Sequence, residues 1–166
     1  MYFDEVLPDV FVGTCPARVI DATRLRRGLG VTAVLNLQTD ADFERWNVAW
    51  PAPAAAYPDL EIVVERVPIV DFDGNDLALR IGDAAQRLAR LLSVGHRVYV
   101  HCTAGQQRSP AAVIAYLVRE RGMALSQAAR EVIARHPCAP DMAALESALG
   151  TESDADRPPP NEKESS

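Results

Sequence analysis

The chain has 166 residues, 48% hydrophobic and 24% charged, with a formal net charge of −6. That composition is one globular domain with enough length for a proper core. Lys163 is the single lysine against sixteen arginines, which excludes a lysine Schiff base, a nucleotide-binding lysine loop and a kinase ATP site in the body of the chain.

No basic stripe suggests nucleic acid, and no apolar run reaches the roughly 18 residues of a membrane span. The cysteines are Cys15, Cys102 and Cys138. An odd, sparse count fits a reducing compartment. The acidic start MYFDEVLPDV lacks a basic leader region, so a cytoplasmic location is expected. Arginine and alanine richness fits a GC-rich bacterial genome, and a monomer is expected.

In chain order, Glu5–Leu7 and Val10–Val12 flank Pro8-Asp9 and predict a hairpin. Val19–Leu29 has helical spacing, with Arg24, Arg26 and Arg27 on a solvated face. Val31–Leu37 is a buried strand by its β-branched run. Residues 39–60 read as a short helix and a long loop carrying Pro51, Pro53 and Pro58. Trp46 and Trp50 there suit core or satellite packing better than sugar stacking. Glu61–Pro68 is a strand, and Leu77–Leu92 is an amphipathic helix with Asp76 at its N-cap. Arg97–His101 is a strand. Ser109–Arg121 is apolar on nearly every face, a buried helix. Leu125–Arg135 and Asp141–Leu149 are two more helices. Strand and helix alternate, predicting an α/β domain over 1–149: a central, mostly parallel mixed sheet of four to five strands with helices on both faces. Residues 150–166 read as an acidic, Pro-rich disordered tail.

The chemistry sits in residues 98–110, VYVHCTAGQQRSP. A strand runs into Cys102, and a Gly-containing loop leads to Arg108 and a buried helix. Successive amides in such a loop form an anion nest, and the helix N-terminus adds positive partial charge. Arg108 supplies a fork matched to two phosphate oxygens. Gly105 allows a left-handed turn or close backbone approach. A cysteine in that field is favoured as thiolate, a metal-free nucleophile beneath a captured phosphoryl group. An inert buried thiol, or a zinc site from His101, Cys102, His136 and Cys138, fits this context less well. A protective disulfide from Cys102 to Cys15 or Cys138 stays open.

HCTAGQQRSP resembles the H-C-x-x-G-x-x-R-[ST] loop of cysteine-dependent protein tyrosine phosphatases, and the short domain resembles their dual-specificity branch. The stretches LPDVFVG, VPIVDFD and RHPCAP are similar to the glucan-phosphatase and laforin-like group. That group has an aliphatic residue and Gly where this chain has Gln106 and Gln107. The resemblance covers most of residues 5–149.

It implies a protein tyrosine phosphatase-like fold and roles for the site residues. Cys102 attacks phosphorus. Arg108 clamps the phosphoryl group, Ser109 stabilises the departing thiolate, and His101 orients the loop. The backbone amides of Thr103, Ala104, Gly105, Gln106 and Gln107 cradle phosphate with Arg108. The Gln106 and Gln107 side chains either meet substrate or water at the rim or face solvent, and Phe72 either lies against substrate or packs its loop onto the domain. The family's general acid corresponds to Asp71. Topology supports it independently: strands 61–67 and 97–101 around one helix run parallel, so their following loops share a sheet edge. Asp73 and Asp76 are rivals, assigned to a turn and a helix cap.

The expected substrate is a phosphorylated protein or a phosphoglucan, with no cofactor and no metal. Two alternatives use the same loop: a phosphate-recognition module without turnover, and a sulfurtransferase or arsenate reductase.

Overall fold

The computed structural model describes residues 1–47 and 51–150. Trp50 and the predicted tail from residue 151 onward lie outside that range.

Five strands form one sheet in the order β1-β2-β5-β3-β4. β1 (Phe3–Leu7) and β2 (Val10–Gly13) are the expected antiparallel hairpin, with an irregularity between Glu5 and Leu7. β3 (Ala33–Asn36), β4 (Val63–Arg66) and β5 (Val98–His101) run parallel to β2. β4 and β5 are parallel as expected, but β3 lies between them.

Alternation along the strands builds two cores. Val10, Val12, Ala33, Leu35, Val98 and Val100 face α4 (Gly74–Ser93), α5 (Arg108–Arg121), α6 (Leu125–Arg135) and α7 (Met142–Leu149). Phe11, Val34 and Tyr99 face the other way, with Ala22 of α1 (Val19–Thr23) and the fully buried Tyr57. Period-2 patterning thus places helices on both sheet faces.

The chain departs from the expected elements in four places. The helix over 19–29 is α1 followed by one wide turn at Arg24–Gly28. Arg26 there is not a free solvated group: its Nε donates to Leu60 O at 2.9 Å and its guanidinium pairs with Glu61. The 39–60 segment holds two short helices, α2 (Asp40–Arg45) and α3 (Pro51–Ala56), where one was expected. Prolines suit a first helical turn because those N–H groups have no intrahelical partner. Trp46 is about half exposed beneath the Arg45 guanidinium, outside any core cluster. Finally, α4 is capped by Asp73, not Asp76. Asp73 Oδ1 accepts from the Asn75 and Asp76 amides at 3.0 Å, and the helix starts at Gly74. Asp76 instead accepts from Val70 N at 2.7 Å and from Arg80.

α5 is buried along its first ten residues, Arg108 to Leu117. It runs through the heart of the domain, and its N-terminus fixes the loop that follows β5.

Candidate active site

β5 is the central strand, so the loop leaving it is flanked by the ends of β2 and β3. Cys15 N donates to Thr103 O at 3.1 Å. From the β3 side, Gln38 Nε2 donates to Thr103 Oγ1 at 2.8 Å. Gly105 has φ +73, and a Cβ there would lie 2.7 Å from the Gly13 carbonyl carbon. Glycine is required twice over, for the turn and for the close approach of β2.

Accounting for the carbonyls explains the loop's polarity. Cys102 O is met by His101 Nδ1 at 3.2 Å, Thr103 O by Cys15 N, and Gly105 O by His136 Nε2 at 2.7 Å. Gln106 O is met by Ala139 N and Gln107 O by Ala111 N, each at 3.0 Å. Meanwhile the backbone N–H groups of Thr103 to Gln107 donate to no other group among the described residues. Carbonyls pinned outward and amides left unpaired are what an anion nest consists of. The buried start of α5 points at the same place.

Cys102 lies at the base, buried, with Sγ 3.4 Å from Ser109 Oγ. His101 is wholly enclosed, and burial pushes its imidazole down to about 3. It is therefore neutral, and its Nδ1–H donates to Cys102 O.

Arg108 is held as a fixed fork. Its Nη1 donates to Asp42 Oδ2 at 2.7 Å and to Ile69 O at 2.9 Å. Its Nη2 meets Thr103 Oγ1 at 3.3 Å and Asp71 Oδ1 at 3.1 Å. Nε is buried and has no hydrogen-bond partner among the described residues. Nη1 is spent on anchoring. On the other edge that Nε stands beside Nη2, which is shared between Thr103 and Asp71; the edge matches two oxygens of a ligand once the ligand replaces Asp71 at Nη2.

Of the three candidate aspartates, Asp71 is the one that reaches Arg108, its Oδ1 lying 3.1 Å from Nη2. Burial raises its pKa above the usual carboxylate range; Arg108 opposes this and Asp42 reinforces it. Of its rivals, Asp73 is taken by the cap of α4 and Asp76 by Val70 and Arg80.

Phe72 is 72% exposed with φ 59. It lines a small cleft of about 110 Å³ with Gln107, Arg108 and Asp141. Gln106 is exposed, and its side chain is stitched to Pro137 O. Ala104 is exposed at the loop crest. A separate cavity of about 620 Å³ lies at the opposite sheet edge, near Pro8 and Leu92, away from this chemistry.

Cys15 and Cys138 are free thiols, as is Cys102. Burial pushes Cys15 up to about 12 and Cys138 up to about 11. The four-residue zinc grouping does not form: no cluster of three or more metal-ligating side chains exists among the described residues. Sequence reasoning missed Asp42 and Gln38, and weighed His136 only as a zinc ligand. The Thr39-x-x-Asp42 pattern carried a signal, but as a capping box, which it also forms.

The chain is 33% identical to phosphoglucan phosphatase LSF1 of Arabidopsis thaliana over 145 residues, covering 87% of this chain and 24% of that protein. It is 31% identical to laforin of Mus musculus over 147 residues, covering 82% of this chain and 44% of that one. It thus spans less than half the length of these relatives. Among solved structures, a mouse putative dual specificity phosphatase complexed with zinc tungstate superposes with a TM-score of 0.68 at 27% identity, covering 89% of this chain and 86% of that one. PTPMT1 shares the fold, with a TM-score of 0.73 at 20% identity and coverage of 89% and 92%. The family model for the catalytic domain of dual specificity phosphatases matches residues 10–147, and with the cradle, fork and carboxylate in place the chain belongs to that family.

Proposed function

We propose that this domain hydrolyses phosphate monoesters through a cysteinyl-phosphate on Cys102. The observation that carries the reading is the ring of outward-pinned carbonyls, which leaves the Thr103 to Gln107 amides unpaired above Cys102. The phosphoryl oxygens, on which charge grows in the transition state, occupy those amides and the Nε/Nη2 edge of Arg108, displacing Asp71 from Nη2. The Cys102 thiolate attacks phosphorus, and the ester oxygen leaves with the proton of Asp71. In the second step Asp71 takes a proton from water. The water oxygen bonds to phosphorus, and Cys102 departs as thiolate, receiving a hydrogen bond from Ser109 Oγ. Burial favours the protonated carboxyl that the first step needs.

The substrate class is a phosphorylated glucan or a phosphoprotein. The exposed Phe72 ring beside a small cleft supports the first, since an aromatic platform suits a sugar face. The phosphoglucan phosphatase among the relatives points the same way. The match to the dual specificity family supports phosphoserine and phosphothreonine as well as phosphotyrosine.

An acid quench of wild type with an aryl phosphate, followed by peptide mass spectrometry, is expected to find one phosphoryl group on the Cys102 peptide. Cys102→Ser is expected to turn nothing over while still binding phosphate. A Cys102→Ser protein with wild-type turnover would remove the proposal. Parallel rates on phosphorylated starch and a phosphopeptide panel decide the substrate class.

A further inference from the structure

His136 closes α6 and is wholly buried. Its Nε2 is 2.7 Å from Gly105 O, and its Nδ1 is 2.7 Å from Asp4 Oδ2 on β1. A carbonyl cannot donate, so Nε2 carries a proton. A second lone pair at Nδ1 would then face a carboxylate oxygen at hydrogen-bond distance. That contact requires a proton between the two atoms, and both separations are those of charge-assisted bonds. The Tyr2 ring covers the pair, its centroid 5.6 Å from that of His136.

A trans peptide points its C=O and the next N–H in opposite directions. Holding Gly105 O outward therefore turns the Gln106 N–H inward, toward the unpaired amides of the nest. The neighbouring carbonyls of Thr103 and Gln106 are held by backbone donors, Cys15 N and Ala139 N. Gly105 O has no backbone donor among the described residues and relies on the imidazole.

We propose that His136, sharing a proton with Asp4, is a positioning residue of the phosphate loop: its Nε2–H fixes the 105–106 peptide so that the Gln106 amide faces the bound phosphoryl group. This rests on reading residues 102–108 as the oxyanion cradle. Asp4 is thereby a remote part of the loop's support, reached through α6 from the edge strand.

The test uses the whole protein and orthovanadate as the probe. Nitrogen-15 histidine spectra of unliganded wild type are expected to show His136 protonated on both nitrogens, and on Nε2 alone in Asp4→Asn. His136→Leu and His136→Ala, which cannot donate, are expected to weaken vanadate inhibition by roughly tenfold to hundredfold, with kcat/KM on an aryl phosphate falling in step. An unprotonated Nε2 in wild type would overturn the proposal. So would a folded His136→Leu that binds vanadate as wild type does, and the wild-type spectrum decides even where both variants fail to fold. Wild type that binds no vanadate would instead sink the cradle itself, a failure distinct from that of His136.

Discussion

Asp42 and Arg108 form a 2.7 Å ion pair with both side chains at most 4% exposed, joining α2 to the phosphate loop across 66 residues of sequence. The same Asp42 oxygen also accepts from the Thr39 amide and hydroxyl. The carboxylate therefore caps a short helix and aims the fork at once. Removing one partner of a buried pair leaves an uncompensated charge, which costs about 3 kcal/mol or more. Asp42→Asn keeps the shape and loses the charge. It is expected to lower stability in urea by about that amount and to lower kcat/KM by at least about tenfold. Asp42 also pushes the Asp71 pKa up. The variant should therefore move the basic limb of the pH–rate profile to lower pH, which rates measured across pH will show.

Asp71 itself should govern that limb. The proposed mechanism needs Asp71 protonated, so kcat/KM is expected to fall as pH rises through its folded pKa, which burial places above the ordinary aspartate range. Asp71→Asn should abolish the limb and cost about a hundredfold or more in kcat for a substrate with a poor leaving group. Stability moves the other way. A carboxyl whose folded pKa is raised opposes folding once ionised, so the penalty is fully present above the folded pKa and vanishes below the unfolded value. Asp71→Asn is thus expected to be more stable than wild type at neutral pH, with the difference closing on acidification. Thermal melts across that range check the sign.

What could be read from the chain alone was whatever is local. The 102–109 loop is contiguous, so strand, nest, fork and buried helix are written side by side, and α4 shows its buried stripe of Leu77, Ile81, Leu88 and Leu91 at helical spacing. Asp71 was reachable because parallel strands send their loops to one edge. The contacts of Asp42, Gln38 and His136 with the loop were not, since they span 66, 65 and 31 residues, and His136 stood out only as a zinc-ligand candidate. Nothing local distinguishes a capping aspartate from one that also holds an arginine. The cap of α4 was misplaced for a related reason. The apolar stripe begins at Leu77, but Gly74, Asn75 and Asp76 already form a first turn that faces no core.

Gly105 tests the close approach. Alanine there would need a left-handed backbone, which costs an L-residue about 1–2 kcal/mol. Its Cβ would also lie 2.7 Å from the Gly13 backbone, which cannot swing aside as a side chain can. Gly105→Ala is expected to displace the loop from β2. Vanadate inhibition should be lost and the melting temperature lowered. A variant with wild-type inhibition and melting would show that the contact with Gly13 is easily relieved.

Phe72 holds a strained place on the surface. A φ of 59 disfavours a bulky side chain, and the ring is 72% exposed, so little burial offsets the strain. Backbone strain of this kind persists where surroundings or function maintain it. The Asp71 loop maintains it here, because the turn at Phe72 returns the chain to the Asp73 cap of α4. Phe72→Gly is therefore expected to gain stability, by roughly 1 kcal/mol from relief of the left-handed residue. Rates on a small aryl phosphate should change little, because the cradle and fork are untouched. Rates on a phosphorylated glucan or a phosphopeptide should fall markedly, because the flat apolar platform beside Gln107 is gone. Equal loss on both small and large substrates would mean that the ring serves to position Asp71 and not to hold the substrate.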